Sequence, residues 1–256
     1  MNPLPFAGRS DTGQRRSANQ DRWGADVDQG LFVVADGVAT SSNGELAAQM
    51  VTELLPAYLR RHLTGGGLDD AEAADRLGRA VGELSDDVHA RGLADERVAG
   101  ANSTVVAAVI TGSRALIAYL GDSRAYLWRD RQLRPLTRDH SVIQELINRG
   151  ELTAAEGARH LARGVLTRHV GMAPPARPDT AVVELHPGDR ILLCSDGLHG
   201  VVGEEGVAEI LGAQRDPGDA SDALIAAANA AGGPDNITVI VVDIPAAAPA
   251  AGSTDT

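Results

Sequence analysis

Leu31-Phe32-Val33-Val34-Ala35-Asp36-Gly37 carries the plainest structural signal in this chain. Its unbroken run of apolar residues, rich in β-branched and aromatic types, reads as a strand covered on both faces. The run ends in a carboxylate followed by a glycine, so the strand delivers Asp36 to a sheet edge where the backbone can turn away. The same device recurs along the chain. Asp122 follows Leu116-Ile117-Ala118-Tyr119-Leu120-Gly121, Asp196 closes Ile191-Leu192-Leu193-Cys194-Ser195, and Asp235 opens Asp235-Asn236-Ile237-Thr238-Val239.

Carboxylates are hard oxygen ligands, suited to magnesium or manganese. An aspartate beside a glycine is also the usual composition of a tight turn. Any one of the four fits that simpler reading; the recurrence of all four beside apolar runs favours a multinuclear metal site. Like charges brought together cannot all ionise unless something positive lies between them. Two divalent cations about 3.5–4 Å apart, sharing a carboxylate, would neutralise the cluster and acidify a bound water.

Working outward, Gly44–His62 carries Leu46, Ala47, Met50, Leu54, Leu55 and Leu59 at helical spacing, with Pro56 inside it and Gly65-Gly66-Gly67 beyond. A second amphipathic helix is expected over 70–90. Residues 103–110, 114–120 and 124–128 read as strands joined by two short turns, a three-strand meander. A short helix started by Asp139 is expected over 139–149. Strands follow at 182–185, 190–195 and 237–244, with helices near 204–211 and 219–231. Strands and helices do not alternate strictly, so a doubly wound parallel sheet is disfavoured. The expected fold class is α+β: one domain over residues 1–244, followed by a disordered Ala/Pro-rich tail over 245–256.

The composition narrows the chemistry. The apolar share of 43% is ordinary for a globular chain, and the net charge of −12 repels nucleic acid and anionic membrane. All the permanent positive charge is arginine. Without lysine there is no Walker-A phosphate grip, no kinase strand lysine and no Schiff base. Cys194 is the only cysteine, which excludes internal disulfides and thiolate zinc clusters. The opening MNPLPFAGRS lacks the layout of a signal peptide, and no apolar run reaches membrane-spanning length. A soluble, cytoplasmic monomer is expected, with no nucleic-acid or membrane partner.

Arg15-Arg16-Ser17-Ala18-Asn19-Gln20-Asp21 precedes the first metal strand. A guanidinium fork matches phosphoryl oxygens, although Arg16 taken alone reads as a surface charge. Together with Val34-Ala35-Asp36-Gly37, Gly44-Glu45, Gly121-Asp122-Ser123-Arg124-Ala125-Tyr126, Leu136-Thr137-Arg138-Asp139-His140-Ser141, Leu192-Leu193-Cys194-Ser195-Asp196-Gly197-Leu198 and Gly233-Pro234-Asp235-Asn236-Ile237-Thr238, this loop completes an ordered set. The chain resembles the bacterial metal-dependent protein serine/threonine phosphatases of the protein phosphatase 2C (PPM) family, over nearly its whole length.

The resemblance implies a sandwich of two mainly antiparallel sheets flanked by helices on both outer faces, in four layers. It implies two core Mn2+ or Mg2+ ions and a third, more weakly held. Asp36 would bridge the core pair with the Gly37 carbonyl on the second ion, Asp196 and Asp235 would hold the first, and Asp122 with Asp196 the third. Arg16 would clamp the substrate phosphate, with Asp21 and Asn236 supporting from behind. The implied reaction is direct hydrolysis of phosphoserine and phosphothreonine by a metal-activated water, on phosphorylated proteins and in opposition to a serine/threonine kinase. Catalysis would rest on Arg16, Asp36 and Asp196.

Two departures stand out. Residues 38–42 read Val-Ala-Thr-Ser-Ser where the family has a glycine pair, and Val38 stands where animal relatives place a histidine proposed as general acid. They leave a second reading, a catalytically silent phosphoprotein-binding domain of the same fold. Residues 151–163 resemble the family's flap beside the active site.

Overall fold

The computed structural model describes residues 3–38, 43–63 and 68–245. The expected tail, from residue 246 on, Gly65-Gly66-Gly67 and most of the unusual 38–42 loop lie outside the described residues.

Among the described residues, ten strands form two five-stranded sheets, every pairing antiparallel. They are β1 (Phe6–Asp11), β2 (Asp21–Asp26), β3 (Leu31–Asp36), β4 (Val105–Thr111), β5 (Arg114–Leu120), β6 (Arg124–Arg129), β7 (Gln132–Pro135), β8 (Asp179–Glu184), β9 (Arg190–Cys194) and β10 (Ile237–Asp243). One sheet has the order β1-β10-β9-β6-β7 and the other β2-β3-β4-β5-β8. The helices are α1 (Gly44–His62), α2 (Asp70–Ala94), α3 (Val142–Asn148), α4 (Ala154–Gly157), α5 (Asp196–Ala213) and α6 (Pro217–Ala230).

The period-two geometry of a strand sorts each apolar run into two cores. In β3, Leu31, Val33 and Ala35 pack outward with α1 and α2, while Phe32 and Val34 pack inward against the second sheet. β4 and β5 divide in the same way. In β9 and β10, Leu192, Cys194, Val239 and Val241 pack with α5 and α6, and Ile191, Leu193, Ile240 and Val242 fill the space between the sheets. The result is the expected four-layer sandwich. Burying each large side chain contributes about 1.5–3 kcal/mol, which explains why the central strands carry almost no polar residues.

Four expectations need correction. The meander is not one sheet: β4 and β5 pair in one, but β6 joins β7 and β9 in the other. The chain crosses at Gly121, whose φ of 109° no ordinary side chain adopts easily. The helix expected from Asp139 begins at Val142, capped by Ser141. Asp139 is instead committed to a bidentate ion pair with Arg124 at 2.7 and 2.8 Å. The helix expected near 204–211 starts at Asp196 and is broken at Gly203, where φ is 72° and ψ 161°. Strands β1, β2 and β7 were not expected; β1 and β7 are sheet edges with mixed burial, and β2 is an edge with an alternating pattern.

A candidate metal centre at the edge of both sheets

The five acidic residues singled out from the sequence arrive from both sheets. Asp36 ends β3, and Asp21, which opens β2, is its direct cross-strand partner. Asp122 follows β5, Asp196 is the first residue of α5, and Asp235 stands just before β10. Cross-strand neighbours lie about 4.5–5.5 Å apart at Cβ, so the Asp21–Asp36 pairing places two like charges face to face.

The backbone around Asp36 is held on all sides. Its N–H donates to Thr104 Oγ1 at 3.0 Å, and its carbonyl accepts from Thr104 N at 2.8 Å and Ser103 Oγ at 3.0 Å. Thr104 Oγ1 in turn lies 2.7 Å from Ser123 Oγ, beside Asp122. Gly37 has no room for a side chain: a Cβ there would come within 2.3 Å of the Gly44 backbone at the start of α1. Gly197 is equally constrained, with its Cβ position 1.9 Å from the Asn236 carbonyl. That contact presses the Asp196 and Asp235 segments together.

Burial and mutual repulsion act in the same direction. Burial first, then the charges of Asp21, Asp196, Asp122 and Asp235, push the Asp36 carboxyl well above the usual carboxylate range. Asp122 is raised by burial and then by Asp196 and Asp139. Asp196 is raised by burial, then by Asp235 and Asp21. Asp21 is also raised, chiefly by burial, although Ser195 Oγ donates to its Oδ2 at 2.7 Å. Its other oxygen, Oδ1, is buried with no hydrogen-bond partner. An unsatisfied buried carboxylate oxygen among other carboxylates is costly unless a cation neutralises the group.

Among the described residues, no three His, Cys, Asp or Glu side chains already stand close enough to form a finished ion cage. The carboxylates are near enough to disfavour one another's ionisation without being gathered around a single point. Part of the reason is visible at Asp235. Its Oδ2 accepts from Arg16 Nη2 at 2.6 Å and its Oδ1 from the Asn236 N–H at 2.9 Å. The expected phosphate clamp and an expected metal ligand are therefore paired with each other. The donor set nonetheless fits a hard divalent cation: all-oxygen, over-charged, and containing the orphaned Asp21 Oδ1.

Asn236 fastens the Arg16 loop to this edge. Its side chain accepts from Gln20 N at 2.9 Å and donates to Thr12 O at 2.8 Å and Ala18 O at 2.9 Å. Two further supports, Ser195 and His199, were not among the residues singled out from the sequence. Ser195 joins Asp21 to β10 by also accepting from Thr238 N at 3.0 Å. His199, one helical turn after Asp196, has its Nε2 2.9 Å from the Asp122 carbonyl oxygen, an arrangement in which the ring donates. Its i+3 spacing from Asp196 on a helix is the one signal that pointed to it. Burial depresses the His199 imidazole to about 4, so the ring is neutral near pH 7. Cys194 is buried with its thiol pushed up to about 12, chiefly by burial, and is no nucleophile. A cavity of about 640 Å³ lies at the other end of the β3–β5 sheet, between Leu59, Leu63, Leu68 and the β4–β5 turn, and includes none of the five carboxylates.

Comparison with known proteins agrees with this architecture. The family model described as protein phosphatase 2C matches residues 8–226. A serine/threonine phosphatase from Listeria monocytogenes is 34% identical over 238 residues, spanning 92% of this chain and 94% of that protein. The crystal structure of a serine/threonine phosphatase from Staphylococcus aureus superposes with a TM-score of 0.86 at 29% identity, covering 94% of this chain and 95% of that one. The catalytic domain of a serine/threonine phosphatase, PstP, solved with two manganese ions, superposes with a TM-score of 0.80 at 31% identity, covering 95% and 99%. With two antiparallel sheets between helical layers and a family match over most of its length, the chain belongs to the protein phosphatase 2C family of metal-dependent phosphoprotein hydrolases.

Proposed function

We propose that this protein is a manganese- or magnesium-dependent serine/threonine phosphatase that removes phosphate from phosphoserine and phosphothreonine in proteins, opposing a serine/threonine kinase. The observation that carries the reading is the edge where Asp21, Asp36, Asp122, Asp196 and Asp235 meet, with Arg16 beside them. Asp36 and the Gly37 carbonyl, Asp196 and Asp235 would hold two core cations, and Asp122 with Asp196 a third. Divalent cations bound there supply charge neutralisation and an acidified water.

The chain's own residues do the rest. Arg16, on a loop held by Asn236, would exchange Asp235 for the phosphoryl oxygens of a substrate. Asp21 keeps one carboxylate oxygen free behind Asp36 to accept a proton or a water. His199 and Ser123 hold the Asp122 turn in place. No covalent phosphoenzyme is required, which agrees with the inert Cys194. A silent binding domain would not need this set of mutually repelling carboxylates, and nothing in the described residues favours it.

No helix among the described residues is long and apolar enough to cross a membrane. We read the protein as a cytoplasmic monomer whose catalytic domain spans residues 1–244. The test is hydrolysis of p-nitrophenyl phosphate and of a phosphothreonine peptide with manganese, with magnesium and with chelator. Turnover that requires metal is expected; metal binding without turnover on either substrate would overturn the reading.

A further inference from the structure

The loop that carries Arg16 is stitched at its base to the turn that carries Asp235. Asp11 ends β1, and its Oδ1 accepts from Gly13 N at 2.8 Å, folding residues 11–13 into a tight turn. Gln14 N then donates to Gly233 O at 2.8 Å. At Gly13 a Cβ would come within 2.1 Å of the Asp235 carbonyl oxygen, so the two turns touch through bare backbone. Arg16 lies two residues beyond Gln14, and Asp235 two residues beyond Gly233.

One side chain joins these segments to a helix. Asn229 stands in the last turn of α6. Its Nδ2 donates to Asp11 Oδ1 at 3.1 Å, and its Oδ1 accepts from Gln14 Nε2 at 3.1 Å. Its backbone carbonyl accepts from Gly232 N at 2.9 Å, and Gly233 N donates to Ala228 O at 3.0 Å, turning the chain off the helix towards Asp235. A carboxylate accepts and the Gln14 amide nitrogen donates, so the position needs one donor and one acceptor on a short stem. Asparagine meets that requirement. Aspartate would face Asp11 with no proton to give. Asn236 ties the same loop from the β10 side, through Thr12 O and Ala18 O; Asn229 is the tie from α6.

We propose that Asn229 is a positioning residue for Arg16: it anchors the base of the arginine loop to the end of α6 and so fixes where the guanidinium meets a phosphoryl group. The inference rests on the phosphatase reading for the part that Arg16 plays. Asn229 acts through Arg16, not on the reacting atoms. Without its side chain the 11–16 segment is released on its α6 side, while Asp235 stays held by the backbone bonds that end α6 and by β10. The grip on phosphate should therefore weaken while metal binding persists.

The test compares, at equal folded fraction, the wild type, Asn229→Ala, Asn229→Asp and the exchanged pair carrying both Asp11→Asn and Asn229→Asp. kcat and KM are measured on p-nitrophenyl phosphate in saturating manganese. Calorimetry gives the affinity for manganese and, in the manganese-loaded protein, for inorganic phosphate. Asn229→Asp should raise KM and the phosphate Kd by about tenfold, with kcat and manganese affinity within about twofold of the wild type. Asn229→Ala should shift the same two quantities without placing two carboxylates together, and carries the comparison should Asn229→Asp not fold. The exchanged pair keeps the net charge of the wild type and restores a donor opposite a carboxylate, so both quantities should return to within about threefold. In an Arg16→Ala background, Asn229→Asp should add nothing. KM and phosphate Kd unchanged in both single variants, no recovery in the exchanged pair, or an equal effect without Arg16 overturns the proposal. So does manganese affinity that falls in step with KM. If the wild type turns nothing over but phosphate affinity follows this pattern, the phosphatase reading falls and the positioning role stands. Turnover that ignores Asn229 has the reverse meaning, and a wild type that neither hydrolyses nor binds phosphate overturns both.

Discussion

Arg16 Nη2 lies 2.6 Å from Asp235 Oδ2, so the guanidinium expected to grip phosphate is held by a carboxylate expected to grip metal. Both side chains are about one-third exposed, which makes the pair weak and exchangeable. A cation that recruits Asp235 would free Arg16 at the moment when the site becomes able to use a substrate. The two roles are coupled through one contact.

Replacing Arg16 by Ala separates them. Removing a charge-assisted hydrogen bond to the phosphoryl group should lower kcat/KM by roughly 10–100-fold. Manganese affinity, measured by calorimetry, should be unchanged or tighter because Asp235 loses a competitor. Weaker metal binding in this variant would show that Arg16 supports Asp235 rather than restraining it.

His140 sets a pH dependence of stability that is independent of catalysis. Its ring is buried, stacks on Tyr119 at 4.9 Å, accepts from Gly121 N and contacts Asp179 Oδ2 at 3.2 Å. Burial first and then Arg168 lower its pKa, with Asp179 and Asp139 partly opposing. The folded state thus binds fewer protons than the unfolded chain, where histidine titrates near pH 6.5. Stability should be fully present above about pH 6.5 and fall as pH drops towards the folded value, by at most about 1.4 kcal/mol per pH unit. Urea unfolding at pH 8 and pH 5.5 should show a smaller loss for His140→Gln than for the wild type; equal losses would remove His140 from the account.

Arg190 is a structural arginine at the start of β9, in the β1-β10-β9-β6-β7 sheet. It is nearly fully buried, pairs with Asp243 at 2.7 and 3.0 Å, and donates to the carbonyls of Leu211, Gln214 and Arg215 at the end of α5. Arg190→Met leaves Asp243 unpaired and the helix end unsatisfied, and should cost about 3–5 kcal/mol. Chemical denaturation reads this directly, and a loss below about 1 kcal/mol would contradict it.

The central strands were legible because physics leaves them little choice. A run such as Leu31–Asp36, covered on both faces, must be apolar throughout, and its terminal aspartate stands out. Edge strands β1 and β2 are half-solvated and carry Arg9, Arg22 and Asp26, so their pattern blends into loop composition. The crossing of β6 into the other sheet depends on one positive-φ glycine, which looks the same in sequence as a hairpin turn. Asp139 illustrates a different limit. An aspartate before a helical pattern suggests a cap, and only the fold brings Arg124 to compete for it. The strand-end position of Asp36 could be read locally. The Arg16–Asp235 pairing, the Ser195 bridge to Asp21 and the His199 support joined residues up to 219 positions apart and could not.

The metal-dependent hydrolysis proposed for this edge depends above all on Asp36, the carboxylate raised by all four of its neighbours. Phosphate release from a phosphothreonine peptide in saturating manganese is the measurement that tests it, with wild type and Asp36→Asn compared at equal folded fraction. The expected result is metal-dependent turnover in the wild type and a loss of about a thousandfold or more in Asp36→Asn, as when a charged group central to transition-state stabilisation is removed. Asp36→Asn turning over within tenfold of the wild type would contradict it.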